Sequence, residues 1–364
     1  MNPLKNIFNK KDESIKSYTD FWDWFQQHEK TFFEVVKKRK NIERDFFDHL
    51  SLQLARLKDG YYYLTGMYDE NTVELVFTAD GIIRNIVFIE ELVSTAPKID
   101  GWKFTALKPA LDISSMGIEM GGYNFDKDKI CFYSNDAPDF PDKIDISIVH
   151  DDFTNKNKDL ITNGVYVFLD NYLGELNFAT IVDEIDVIGK KEAQKELIPI
   201  EKLKDFLIWR EKEFIEKYDG TRHDTENDNY ATLQTELENG IPLLAILNND
   251  LLNWDSKASH PWILHIEIKY DGKDNNGMPD NQTYDLLNQI EDEILEELKD
   301  NEGYLNIGRE TGDNLRDIYF ACRDFRKPSK VLHLIQGKYS GQLVIVYDFF
   351  KDKYWQSFDR FRLN

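Results

Sequence analysis

Several stretches of this sequence carry residue types that can do chemistry. His150-Asp151-Asp152 sets an imidazole beside two carboxylates at the end of an apolar run, a grouping that can serve a metal ion or a general base. The other histidines, His28, His49, His223, His260, His265 and His333, are scattered. None of them, and neither cysteine, stands at ligand spacing from His150. The plainer reading is a turn followed by a helix cap before Asn155. Residues 271–280 (DGKDNNGMPD) have the look of a calcium loop. Aligning Gly277 with the turn glycine of such a loop puts Gly272 at the first ligand position and Thr283 where a bidentate glutamate is needed, so that reading fails. His223 lies among carboxylates in residues 219–229 (DGTRHDTENDN), a run that reads as a linker. Cys131 and Cys322 are too far apart for a metal pattern and too few for a disulfide framework. Residues 117–122 (GIEMGG) do not form a phosphate loop, and neither a nucleophile elbow nor a zinc-protease helix is present. No catalytic residue, metal ligand or cofactor is assigned.

Composition narrows the partners. The 364 residues imply two or three domains, and 41% hydrophobic residues suffice for real cores. A net charge of −22 repels nucleic-acid phosphates and anionic lipid. Nucleic acid is therefore disfavoured, while a basic protein partner is attracted. Residues 1–20 lack the apolar core of a signal peptide, and no run reaches the length of a membrane span. With two unpatterned cysteines, these features place the chain as a soluble protein of the cytoplasm.

The elements that would position these groups read as an α+β protein. Residues 18–57 are helical by periodicity, with a break near Asn41. Strands follow at 61–65, 72–78 and 102–107, with a helix at 82–96. Further strands are expected at 118–125, 130–133, 145–150 and 185–188, with Gly121-Gly122 as a bulge inside the first. Helices at 155–173 and 200–218 complete an N-terminal region spanning 1–218. After the acidic linker at 219–229 comes a domain at 230–364. Its clearest signal is the stripe Tyr284, Leu287, Ile290, Ile294, Leu295 and Leu298 in a helix at 280–299. The order strand 262–270, helix 280–299, strands 304–310 and 315–323, helix 328–339, strand 342–350 is βαββαβ, the ferredoxin-like split pattern. Strand alternation turns Leu264, Ile266, Ile268, Ile318 and Phe320 toward the helices. His265, Glu267, Lys269, Glu310, Asp317, Tyr319 and Arg323 then share the open face. With one aromatic and balanced charge, that face suits protein rather than nucleic acid.

The sequence from Pro242 to Tyr270 resembles a bacterial family known as domain of unknown function 695. The residues that carry the likeness are Pro242, Asn248, Leu251, Pro261-Trp262, Asn276-Gly277-Met278-Pro279 and Ile290-Glu291-Asp292. Gly308-Arg309, Thr311-Gly312 and Arg316 to Tyr319 complete the set. The likeness spans residues 230–350. The layout is more distantly similar to the bacterial regulator of ribonuclease E activity, type B, an acidic protein that binds and restrains an enzyme. The resemblance implies an interaction role. The expected function is thus a non-enzymatic protein-binding or regulatory protein, of which one variant is an immunity-like protein neutralising a basic toxin. The competing expectation is an enzyme whose site gathers dispersed residues such as His150, Asp151 and Arg309 between domains.

Overall fold

The computed structural model describes residues 15–114 and 116–361. They divide into two compact units. The first comprises residues 15–110 with Gly174–Leu176. In it, helix α1 (Tyr18–Lys38) begins at Ser17, whose side chain accepts the Asp20 amide. A π-type turn at Glu43–Phe47 leads into α2 (Asp48–Leu57). Strands β1 (Tyr62–Met67), β2 (Val73–Thr78) and β3 (Trp102–Ala106) form a sheet in that order, with α3 (Ile86–Ser94) between β2 and β3. Aromatic rings fill the core: Phe25 meets Trp102 edge-on at 4.9 Å, and Phe32 stacks on Phe46 at 4.5 Å. The buried Glu175 carboxylate accepts the amides of Ala79, Gly81 and Lys108, which is how its charge is tolerated inside.

The second unit holds the remaining described residues and contains two main sheets. The strand expected at 118–125 is instead a hairpin, β4 (Ile118–Met120) and β5 (Tyr123–Phe125). Gly121 and Gly122 both have positive φ, +59° and +82°, and form its two-residue turn rather than a bulge. Strands β6 (Ile130–Ser134), β7 (Asp145–His150), β8 (Glu184–Gly189) and β9 (Ile198–Pro199) make a four-stranded sheet in the order β8-β7-β6-β9. Helix α4 (Lys158–Leu173) packs Ile161, Val165, Phe168 and Leu169 into its core. Helix α5 (Glu175–Thr180), whose first two residues count with the first unit, and α6 (Leu203–Tyr218) complete this part.

The C-terminal part begins with a hairpin that the sequence reading did not resolve, β10 (Tyr230–Glu236) and β11 (Pro242–Asn248), followed by the short α7 (Asn249–Leu252). Then come β12 (Trp262–Lys269), α8 (Asn281–Glu297), β13 (Tyr304–Gly312), β14 (Leu315–Cys322), α9 (Arg326–Tyr339) and β15 (Val344–Lys351). The α+β class stands. The sheet, however, has six antiparallel strands in the order β10-β11-β13-β14-β12-β15, not the four of the split pattern. The two extra strands add on because β11 pairs with β13, whose edge the four-strand scheme leaves open.

Residues 219–229 are tethered to this sheet. Thr225 donates to Asp300 through both its amide and its hydroxyl, at 2.9 Å each. Asp228 receives His223 at 2.8 Å and Asn248 at 2.7 Å. The four- and six-stranded parts are also joined by charge. Asp183 accepts Lys351, Lys353 and the Ile144 amide, each at 2.7 Å. Burial alone would raise the Asp183 carboxyl, but Lys351 and Lys353 outweigh it and hold it below the usual carboxylate range. Burial pushes the Lys351 ammonium down to about 8, even with Asp183 beside it.

Removing the carboxylate would strand two buried ammonium groups. Asp183→Ala is expected to cost about 3–5 kcal/mol in urea unfolding. A loss below about 1 kcal/mol would show that the network is solvated and dispensable.

Candidate functional site

One irregularity organises the C-terminal sheet. β13 pairs with β14 in regular register except between Asn306 and Gly308, where a β-bulge leaves Ile307 as the extra residue. Side chains alternate along a strand, so an inserted residue exchanges the faces beyond it. Up to and including the bulged residue, Leu305 and Ile307 pack with Tyr319 and Ala321 in the core on one face. Beyond it, Glu310 joins that face and Arg309 turns to the helix side, where it meets α8. Gly308 makes the bulge possible: its φ is +142°, and a Cβ there would lie 2.2 Å from the Ile246 carbonyl oxygen of β11.

On the helix side, Glu291 of α8 is buried and faces two guanidinium groups. Arg309 Nη1 donates to its Oε2 at 2.7 Å, and Arg316 Nη1 lies 3.6 Å from the same oxygen. Arg316, 1% exposed, also donates to Thr311 Oγ1 and Asn288 Oδ1 and lies over the Tyr284 ring. Burial, and then the neighbouring Arg309, lower its affinity for its proton. Arg309 closes one wall of a cleft of about 370 Å³ between α8 and strands β11 and β13. The family-like positions Glu291, Gly308, Arg309, Thr311 and Arg316 thus converge on one structure. Sequence reading had placed Arg309 only in a loose constellation with His150 and Asp151. Its one side-chain hydrogen bond among the described residues goes to Glu291.

The opposite face holds most of the residues that alternation assigned to it. His265 Nε2 lies 2.7 Å from Asp317 Oδ1, and its ring stacks on Tyr319 at 4.9 Å. Glu267 pairs across the strands with Asp317. One nitrogen of His265 and one oxygen each of Glu267 and Asp317 lie within 4.8 Å of one another, a donor set that could hold a divalent ion such as zinc. Lys269 is exposed at the strand end. Tyr319 donates to Glu310 at 3.2 Å, and both are buried because the C-terminal 3₁₀ turn Gln356–Phe361 lays Phe358 over Tyr319 and Arg360 on Glu310. Half of this face is therefore covered by the chain itself. Arg323 lies one residue past the end of β14 and spends its guanidinium on the Thr221 and Tyr218 carbonyls.

The other candidates have structural work. His150 is fully buried. Its Nδ1 accepts the Asp152 amide, which leaves Nε2–H to donate to the Asn124 carbonyl at 3.0 Å. Burial pushes its pKa down, so it stands neutral with both nitrogens satisfied. Asp151 pairs with Lys190, and Asp152 with Lys129. Residues 271–280 form a strand-to-helix loop in which Gly277 bonds Gly272 and Asp280 caps α8 through the Thr283 amide. Sequence reading missed His260. It is fully buried beside Trp254, its Nδ1 lies 2.8 Å from Ser259 Oγ, and its Nε2 has no hydrogen-bond partner among the described residues. Burial, then the Arg222 charge, push its pKa down to about 3.

Residues 232–362 match the model described as Family of unknown function (DUF695). The similarity takes in nearly all of the six-stranded sheet with its helices, the C-terminal third of the chain. The more distant likeness to the ribonuclease E regulator is not shown. Neither the curated proteins nor the solved structures gave a match. Among the described residues, no helix is long and apolar enough to cross a membrane.

His260 makes stability depend on acid. Its folded pKa, about 3, lies below the unfolded value of roughly 6.5, so its contribution is whole above that value and is lost as pH falls toward 3. Between pH 7 and 5 the loss is about 2 kcal/mol. His260→Gln is expected to lose correspondingly less between pH 7 and 5 in urea unfolding. Equal losses in the two proteins would show that His260 titrates normally.

Proposed function

We propose that this is a non-enzymatic binding protein that regulates a basic protein partner through the uncovered half of its C-terminal sheet. One observation carries the reading. Glu267 and Asp317 stand opposite each other on β12 and β14, and Asp348 of the edge strand β15 stands opposite His265. Among the described residues, none of these three carboxylates pairs with a lysine or arginine. Like charges facing each other across strands are unfavourable, and a cationic partner relieves them. Val344, Val346 and Phe350 are exposed along β15 and supply apolar area beside the charge.

The order β15-β12-β14-β13, with α8 and α9 as crossovers, supports a ferredoxin-like unit extended by β10 and β11. A reducing, cytoplasmic setting suits the two free cysteines. The enzyme reading has less support, since His150 and Asp151 are committed to structural contacts.

A tagged full-length protein, used as bait in nuclease-treated native lysate, is expected to retain a stoichiometric partner with a basic binding patch. The double variant Glu267→Lys, Asp348→Lys is expected to melt within a few degrees of the parent and to weaken that partner by about tenfold or more. Retention of the same partner at undiminished affinity, or of none by the parent, would contradict the reading.

A further inference from the structure

We propose that the cleft beside Arg309 is a binding site for a small organic carboxylate. It lies on the helix side of the sheet and is independent of the partner-facing surface. Its volume, about 370 Å³, falls in the range of small-molecule pockets. Leu295 of α8 and Leu298 just past its end line it, with Ile246, Tyr230 and Tyr304 across from them. These side chains fit an apolar or aromatic body. At the inner wall stands Arg309, a guanidinium with five donors of which Glu291 uses one.

Charge fixes the chemistry of the ligand's head. Arg309 and Arg316 share a single carboxylate, Glu291, so this cluster, with Arg316 buried behind the cleft lining, holds one positive charge in excess. Lys299 and Asp300 at the rim cancel. The planar guanidinium matches a carboxylate through two parallel N–H···O bonds. One excess charge balances a monoanion. A phosphate dianion would instead be left beside the Glu291 carboxylate with one negative charge unmatched. The bulge at Gly308 serves this arrangement, because regular alternation would point Arg309 away from the cleft.

The test is nuclear magnetic resonance on the full chain with methyl-labelled leucines. The probes are matched carboxylate and carboxamide pairs carrying phenyl, indolyl and short alkyl groups, together with inorganic phosphate. The acids are expected to shift the Leu295 and Leu298 methyls in a saturable way, and the amides and phosphate are not. Arg309→Gln, in which Arg316 still neutralises Glu291, is expected to weaken the acids by about tenfold or more. Leu295→Glu leaves all three ionic residues in place and sets a negative charge at the mouth. It is expected to weaken the acids similarly with an unchanged melting temperature. Equal binding of acids and amides, binding of phosphate in their place, undiminished binding by both variants, or no binding of any acid would each overturn the proposal.

Discussion

The C-terminal domain depends on one inserted residue in one strand. β13 must present Leu305 and Ile307 to the apolar core on one side of the sheet, and then Arg309 to Glu291 on the other. Two-residue alternation forbids this over that spacing, and the bulge before Gly308 allows it. The same step sends Glu310 to the opposite face, where Tyr319 and Arg360 receive it. The neighbouring strand leaves no room for a side chain at position 308, so the glycine, the register shift and the direction of Arg309 are a single constraint. Both faces of the domain inherit their chemistry from it.

Buried charge is the second theme, and it is handled the same way each time. Glu175 is surrounded by backbone amides, Asp183 by two lysines and an amide, and Glu291 by two arginines. Such groups contribute little net stability compared with an apolar filling, but they define which partner each element must meet. Asp183 joins the end of β15 to the four-stranded part in this way. Glu291 differs in leaving one of its cationic partners facing a cleft, which makes that site a candidate for binding rather than only for structure.

Much of this was legible in the sequence. The apolar stripe of α8 gave its buried face, and alternation put His265, Glu267 and Asp317 together on the other side of the sheet. Three things were hidden. β10 is an edge strand exposed along most of its length, so it shows little hydrophobic alternation, and the hairpin closed by Glu238-Asn239-Gly240 read as irregular chain. The 3₁₀ turn that lays Phe358 and Arg360 over Tyr319 and Glu310 is too short to show a period. The direction of Arg309 could not be read because a bulge leaves no pattern beyond a glycine in a strand. Gly308-Arg309 stands out in the sequence only as a family-like motif, and its physical meaning comes from the neighbouring strand.

The bulge aims Arg309 at Glu291. A double-mutant cycle in urea unfolding, with Arg309→Gln and Glu291→Gln alone and together, measures that contact directly. A coupling of about 1.5–3 kcal/mol between the two positions is expected, the range of a hydrogen bond to a charged group. Additivity to within about 0.5 kcal/mol would mean that the two side chains do not meet in solution, and the cleft with its cationic wall would fall with them.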